Sequence, residues 1–221
     1  MTPFLLCVTP LPNMRSNIAT WAVPTSLLPA VAAEMRAELE PESFDPLFQG
    51  QQLETTYFDT AGYDLRRARL RKDRYLTLRV RCYKSSERRG LAPPEYTYAV
   101  SAKTEAEKWR QEIDEATAEA VLRGEKPIRD LLPPNLLARL LEITNLELVP
   151  VVAVCCRRYA VEDDQDRLTL DCCVYTDRAK QLGYGVLEYK STNPDETPPG
   201  CLIRLGLRPL KLSKFLWATE A

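Results

Sequence analysis

Charged side chains alternate with aliphatic ones along several segments of this sequence. The clearest examples are RLTLD at residues 167–171 and VLEYKS at residues 186–191. Successive side chains of a β-strand point to opposite faces, so each segment would place its charges on one face and its aliphatic residues on the other. Basic residues in this alternation are Arg79, Arg81, Lys103, Lys108, Arg110, Arg158, Arg167 and Lys190. A face of this kind can bind a polyanion, because guanidinium and ammonium groups form charge-assisted hydrogen bonds with phosphate oxygens.

Two acidic residues, Asp171 and Glu188, share this alternation. A carboxylate beside a bound anion is unfavourable unless a cation joins them. A hard cation such as Mg²⁺ or Mn²⁺, held by one or two carboxylates and by phosphate oxygens, would resolve the conflict. The charged face has two interpretations at this point. It is simply solvated, as one side of many antiparallel sheets is, or the sheet curls into a barrel with a polar interior that holds a ligand.

The composition limits the function classes. The chain has 221 residues, of which 45% are hydrophobic, and 30 basic residues stand against 31 acidic ones for a net charge of −1. That balance provides no overall field to attract nucleic acid or an anionic membrane, so we predict no nucleic-acid partner. No run of about 18 apolar residues is present, so we predict no membrane insertion and a cytoplasmic protein. We expect an N-terminal tail over residues 1–15 and a single domain over residues 16–221.

Histidine is absent from the sequence. Its absence excludes Ser-His-Asp and Cys-His catalysis and any metal site built on imidazole. Acid or base chemistry would therefore fall to carboxylates, lysine or tyrosine. The seven cysteines include no CxxC pair, and most lie in apolar strand-like runs, so we interpret them as reduced thiols of a cytosolic protein.

The elements that must position these residues are mainly strands. In residues 74–83, Leu78 and Val80 should face one side and Arg79 and Arg81 the other. Asp114 should cap a helix. Strands are expected at 17–23, 52–58, 74–83, 95–103, 107–113, 148–161, 166–175 and 183–191, and helices at 25–40, 114–124 and 127–143. The aliphatic faces would pack outward against the helices. This order predicts an α+β fold built on an antiparallel sheet with flanking helices.

Five motifs in a fixed order resemble a known superfamily. They are TYFDT, LRVR, RLTLD, VLEYK and SKF, the last at residues 213–215. In this order and at these spacings they resemble the CYTH-like, or triphosphate tunnel metalloenzyme, superfamily. LEYK together with SKF is most similar to its VTC branch, the polyphosphate polymerase domain. The resemblance covers roughly residues 17–217 and implies an antiparallel β-barrel tunnel of about eight strands.

The resemblance also implies roles for individual residues. The phosphate-binding set would be Arg69, Arg79, Arg81, Lys103, Lys108, Arg158, Arg167, Lys190 and Lys214, and of these Arg79, Arg81, Lys103 and Lys214 would also act in catalysis. Glu188 matches the metal-binding glutamate of the superfamily, and Asp171 would orient a basic residue or hold the metal through water.

The implied ligand is triphosphate, polyphosphate or a nucleoside triphosphate, with Mg²⁺ or Mn²⁺. The reaction would form or hydrolyse a phosphoanhydride bond by positioning and charge neutralisation. A membrane-protein partner would be compatible with this function, but nothing in the sequence encodes one.

The sequence departs from the superfamily pattern at its first strand. WAVP is present at residues 21–24, but residues 16–20 read SNIAT, where the superfamily has an ExExK pattern. Ser101 stands where the superfamily often has a glutamate. Because ligand charge sets the affinity of a hard-cation site, three alternatives stay open. These are an enzyme with a reduced metal site centred on Glu188, a non-catalytic polyanion-binding module without the metal, and a structural domain with a solvated charged face.

Overall fold

A computed structural model describes most of the chain. The described residues are 16–41, 48–71, 75–84, 96–193, 195, 197–200, 202 and 205–220. The predicted N-terminal tail, residues 1–15, lies outside them.

The described strands form one antiparallel sheet. They are β1 (Ser16–Pro24), β2 (Glu40–Pro41), β3 (Gln51–Asp59), β4 (Thr77–Lys84), β5 (Tyr96–Lys103), β6 (Lys108–Ile113), β7 (Val149–Glu162), β8 (Asp166–Thr176), β9 (Tyr184–Ser191) and β10 (Arg208–Pro209). The order across the sheet is β10-β1-β9-β8-β7-β3-β4-β5-β6, and β2 pairs with β7. Eight of these strands are longer than two residues, as the predicted architecture requires. The sheet is curled, but no pairing between described residues joins β6 to β10.

Five α-helices accompany the sheet in the described part of the chain. They are α1 (Leu28–Glu38), α2 (Asp64–Arg71), α3 (Glu115–Leu122), α4 (Pro134–Ile143) and α5 (Lys214–Thr219), with 3₁₀ turns at Thr25–Leu27 and Ile128–Leu131. Asp114 caps α3 as predicted, since its carboxylate accepts a hydrogen bond from the Thr117 amide at 2.7 Å. The α+β class and the antiparallel sheet are confirmed.

The hydrophobic core lies mainly between the convex, outer face of the sheet and the helices. Val31 and Met35 of α1 pack with Leu168 and Leu187 of β8 and β9. A second cluster joins residues of α2, α3 and α4 to the outer face of β4 and β5, among them Leu65, Leu78, Val80, Val100, Val121, Leu136 and Leu140. Burying each such side chain contributes roughly 1.5–3 kcal/mol. The aliphatic faces therefore pack outward on helices, as the alternation predicts, and this packing fixes the opposite face as the charged one.

Over the ranges that the structure describes, no helix combines the length and the apolar character that crossing a bilayer needs.

Candidate functional site

The register between strands places the charged residues on one face of the sheet, which we call the inner face. Arg81 on β4 stands opposite Thr55 on β3, and Arg158 on β7 stands opposite Asp171 on β8. Residues directly opposite each other share a face. Following the pairings across the sheet gives an inner face with Arg79, Arg81, Lys103, Lys108, Arg110, Arg158, Arg167, Thr169, Asp171, Glu188 and Lys190.

The curl of the sheet makes this face a trough. Neighbouring strands lie about 4.8 Å apart, so in a flat sheet β6 and β9, six positions apart, would be separated by roughly 29 Å. Lys108 on β6 nevertheless lies close enough to Lys190 on β9 and Arg167 on β8 for their charges to act on it. The two walls therefore approach each other, and we call the enclosed space the basic trough.

The most buried acid of the basic trough is Asp171, with 1% of its surface exposed. Arg158 donates to it twice, from Nε to Oδ1 at 2.6 Å and from Nη2 to Oδ2 at 2.7 Å. Lys214, the first residue of α5, forms a further ion pair with Oδ2. Burial alone would raise the pKa of Asp171, but the charges of Arg158 and Lys214 outweigh burial and hold that pKa well below its usual range. Asp171 is therefore an ionised anchor for two cations.

The second acid, Glu188, pairs with a neighbour on its own strand. Lys190 Nζ lies 3.1 Å from Glu188 Oε2. Burial tends to raise the pKa of Glu188, but the charges of Lys190 and Lys214 lower it to about 2. Glu188 is therefore a carboxylate at neutral pH, and it already has a cationic partner.

These carboxylates do not fit a metal centre. Both oxygens of Asp171 accept hydrogen bonds from cationic side chains, and Glu188 is ion-paired. Among the residues whose placement is described, no three His, Cys, Asp or Glu side chains come together in a group that could hold a metal ion. Of the two roles predicted for Asp171, the arrangement corresponds to orienting basic residues. Metal ligation by Glu188 stays a prediction from the resemblance.

Four basic residues of the trough form no ion pair with any described carboxylate: Arg79, Arg81, Lys103 and Lys108. Arg81 is oriented by a hydrogen bond from Nε to Thr55 Oγ1 at 3.0 Å. Burial, and then the charge of Arg81, lowers the pKa of Arg79 to about 10. Burial also lowers the pKa of Lys103, and the charges of Arg69 and Arg79 lower it further. These four cations repel one another, so an anion placed between them would be strongly stabilised.

Lys108 responds most strongly to this repulsion. Its side chain is exposed to solvent, yet cations on both walls of the trough act on it. Desolvation has the largest effect, and the charges of Arg79 and Lys190 add to it, so that the pKa of Lys108 is lowered to about 7.

A buried hydroxyl group also points to a ligand. Thr169 lies opposite Glu188 on the inner face with 1% of its surface exposed, and its Oγ1 has no hydrogen-bond partner within the described part of the chain. Oε1 of Gln51, which stands opposite Arg158, is also buried without a hydrogen-bond partner among the described residues. Leaving a buried polar group unsatisfied costs about 1–3 kcal/mol. A ligand or water in the trough would relieve that cost.

The remaining predicted phosphate-binding residues lie at the margins of the trough. Arg69 projects from α2, donates from Nη1 to Thr77 Oγ1 at 3.1 Å and lies over the ring of Tyr75 at 4.6 Å. Arg167 has Glu162 at 3.7 Å. The fold thus gathers all nine predicted phosphate-binding residues around one trough, although their assignment to phosphate stays a prediction.

The C-terminal helix α5 covers the apolar part of the inner face. Phe215 packs on Tyr57 with ring centroids 5.2 Å apart, in a cluster with inner-face residues of β3 and β7. Arg66 Nε donates to Thr219 Oγ1 at 3.0 Å, and Lys180 Nζ donates to the Trp217 carbonyl at 2.7 Å. These contacts hold α5 at the end of the trough where β3 ends and β7 begins.

Sequence reasoning missed the groups that position the basic residues. Thr55 and the hydroxyl of Tyr83 hold Arg81, while Arg110 lies over the Tyr83 ring at 4.9 Å. Thr169 lies on the charged face, but its hydroxyl carries no charge and the RLTLD pattern does not mark it as a site residue. Finding these contacts requires the register between strands distant in sequence, and a single sequence does not specify that register.

Comparisons with known proteins bear on the fold. No protein-family model and no curated protein matches this sequence. Among solved structures, the chain is similar to the crystal structure of a putative adenylate cyclase from Bacillus halodurans, with a TM-score of 0.61. The similarity covers 93% of this chain and 97% of that one, at 13% sequence identity. This similarity shows the fold, and the resemblances to the CYTH-like superfamily and to its VTC branch stay predictions from the sequence motifs.

Proposed function

We propose that the basic trough binds a linear polyanion of the triphosphate class, including inorganic triphosphate, polyphosphate and the triphosphate group of a nucleotide. The observation that carries this proposal is the group formed by Arg79, Arg81, Lys103 and Lys108. These residues stand together on the inner face without a described carboxylate partner, in a protein whose net charge is −1. Repulsion of this kind is tolerated where a bound anion relieves it.

The fold comparison is compatible with this ligand class. An adenylate cyclase, by the definition of that activity, acts on a nucleoside triphosphate, and the structurally similar chain is described as a putative adenylate cyclase. The two proteins share 13% of their residues, so the ligand of this chain must be argued from its own side chains.

Arginine and lysine side chains would contribute to binding in different ways. The guanidinium groups of Arg79 and Arg81 offer paired donors that match two oxygens of one phosphate, whereas Lys103 and Lys108 act as point charges. Arg158 and Lys214 would contribute from positions fixed by Asp171. The unpaired hydroxyl of Thr169 can donate one more hydrogen bond to a phosphate oxygen.

Transfer or hydrolysis of a terminal phosphoryl group is predicted by the resemblance, but the observed side chains favour binding. Enzymes of this chemistry neutralise the developing charge with divalent metal ions. Since the residues of the trough do not fit a metal centre, we propose a binding module as the function.

Thermal denaturation of the purified protein with added ligands tests the proposal, because a ligand that binds only the folded state raises its stability. We expect tripolyphosphate to raise the melting temperature, pyrophosphate to raise it less, and orthophosphate or sulfate at equal ionic strength to leave it nearly unchanged. Equal shifts for all four anions would indicate a general salt effect. No shift with tripolyphosphate would favour the alternative in which the charged inner face is simply solvated.

A further inference from the structure

The cations that pair with the inner-face carboxylates stand where a metal ion would be needed. Asp171 has Arg158 on both of its oxygens and Lys214 on Oδ2, and Glu188 has Lys190 at 3.1 Å. Three protein cations therefore accompany two carboxylates, which leaves this pair of sites with a net positive charge. The carboxylates that would repel an anion are neutralised by the protein itself.

A divalent cation at this position would meet two obstacles. It would have to displace Lys190 from Glu188 or Lys214 from Asp171, each held by its own strand or helix. It would also enter a space in which the charges of Arg79, Arg81 and Lys108 already repel positive groups. A hard cation needs several oxygen ligands, and carboxylates supply the charge that attracts it. The described side chains of the trough offer the unshared oxygen of Glu188 and the neutral oxygens of Thr169 and Gln51, which bring no such charge.

We infer that the trough binds its polyanion without a divalent metal, and that Lys190 and Lys214 take the positions beside Glu188 and Asp171 that a metal ion would occupy. This inference rests on the proposed function, since it concerns how the same ligand is held. It also gives Glu188 a definite role. Glu188 competes with the ligand for Lys190, so it weakens polyanion binding instead of supporting it.

The first experiment is calorimetric titration of the full chain with tripolyphosphate in EDTA and, separately, in excess Mg²⁺ or Mn²⁺. We expect a Kd in EDTA that is equal to or lower than the Kd in metal, because free metal neutralises tripolyphosphate in solution. Binding at least about tenfold tighter with metal would overturn the inference while leaving the proposed function in place. Binding in neither condition would overturn both.

The second experiment uses the variant Glu188→Gln, which keeps the shape of the side chain and removes its charge. We expect tripolyphosphate to bind about threefold tighter or more in EDTA, because Lys190 is released to the ligand and the trough becomes more positive. In excess Mg²⁺ the variant should again bind no more weakly than the unmodified protein, whereas a metal-dependent site predicts weaker binding there because a metal ligand is lost. Weaker binding by Glu188→Gln would therefore overturn the inference.

The matched control is Glu119→Gln on α3, which breaks a surface ion pair with Arg123 that measures 3.1 Å. It should leave the Kd for tripolyphosphate unchanged. Circular dichroism melting of each variant confirms that the titrated protein is folded. The comparison of the Kd in EDTA with the Kd in metal uses the unmodified chain, so it tests the inference even if Glu188→Gln proves unstable.

Discussion

At the scale of single residues, the trough is organised by one buried carboxylate. Asp171 fixes Arg158 through two parallel hydrogen bonds and holds the first residue of α5 through Lys214. A bidentate pair of this kind restricts the direction of the guanidinium group as well as its position. Asp171 therefore connects strand β7, strand β8 and the C-terminal helix through charge, and it positions two of the cations available to a ligand.

Replacement of Asp171 by asparagine should destabilise the protein by about 3–5 kcal/mol, because it leaves Arg158 and Lys214 buried without a counter-charge. Urea denaturation at pH 7 measures the effect. The matched control is Asp114→Asn, since asparagine and aspartate cap helices about equally well. A loss for Asp171→Asn no larger than that of the control would show that the ion pairs contribute little.

The stabilisation from Asp171 should depend on pH in a defined direction. The folded-state pKa of Asp171 lies well below its ordinary value of 3.8, so the contribution is fully present above about pH 4. It should be lost as the pH falls below 4, by about 1.4 kcal/mol for each pH unit until the folded pKa is reached. The difference in unfolding free energy between the unmodified protein and Asp171→Asn should therefore narrow between pH 4 and pH 2. A constant difference would contradict the lowered pKa.

Removal of either Arg79 or Arg81 by mutation to alanine should weaken tripolyphosphate binding by about tenfold to a hundredfold, the range expected for hydrogen bonds to a charged group. The control is Arg123→Ala, whose guanidinium pairs with Glu119 and Glu125 on the surface of the protein. Calorimetric titration provides the comparison. Unchanged affinity in both trough variants would refute the assignment of the inner face to the ligand.

At the scale of elements, helix α5 divides the inner face into an apolar part and a charged part. Ser213 caps the start of the helix, since its hydroxyl accepts from the Leu216 amide, and Phe215 and Ala218 of the helix face the apolar ends of β3 and β7. The same strand β7 carries Val152 and Val154 beneath α5 and Arg158 in the basic trough. One strand face thus belongs to the core along half its length and carries charged residues along the other half.

This division marks the limit of what the sequence could predict. The alternation of Leu78 and Val80 with Arg79 and Arg81 determines which face of β4 is charged, and the structure confirms it. Nothing in the KFLWAT segment shows that it folds back over the inner face, because that contact joins residues far apart in the chain. For the same reason, the sequence could not predict that Lys214 pairs with Asp171. It suggested instead that Asp171 could help to hold a metal ion.

Replacement of Phe215 by alanine should cost about 3–5 kcal/mol of stability, the usual range for a buried phenylalanine. Leu141→Ala is the control, since Leu141 is 54% exposed on α4 and should change stability by less than about 0.5 kcal/mol. Urea denaturation of both variants gives the comparison. Equal effects would mean that α5 packs only weakly on the sheet.

At the scale of the whole molecule, charge is segregated within a nearly neutral protein. Basic residues outnumber acidic ones on the concave inner face, where Glu112 and Glu162 join Asp171 and Glu188. The field of the protein is therefore local. It acts on a ligand inside the trough and provides little attraction at long range for nucleic acid.

The contribution of Lys108 to tripolyphosphate affinity should decrease as the pH rises from 6 to 8. The pKa of Lys108 is lowered to about 7, so the positive charge of this side chain is present below pH 7 and is lost above it. The variant Lys108→Met should bind more weakly at pH 6 and should lose this part of the pH dependence. The ionisation of the ligand affects both proteins equally, so it drops out when their titrations are compared. Identical pH profiles for the unmodified protein and Lys108→Met would contradict the lowered pKa of Lys108.

The helix that covers one end of the trough has a consequence for long ligands. Because α5 and its contacts with Arg66 and Lys180 obstruct one end of the trough, a linear polyphosphate that reaches that end would be bound there by a terminus. A linear molecule has two termini whatever its length. The number of protein molecules bound per polyphosphate molecule at saturation would then be set by its two termini and would not depend on chain length.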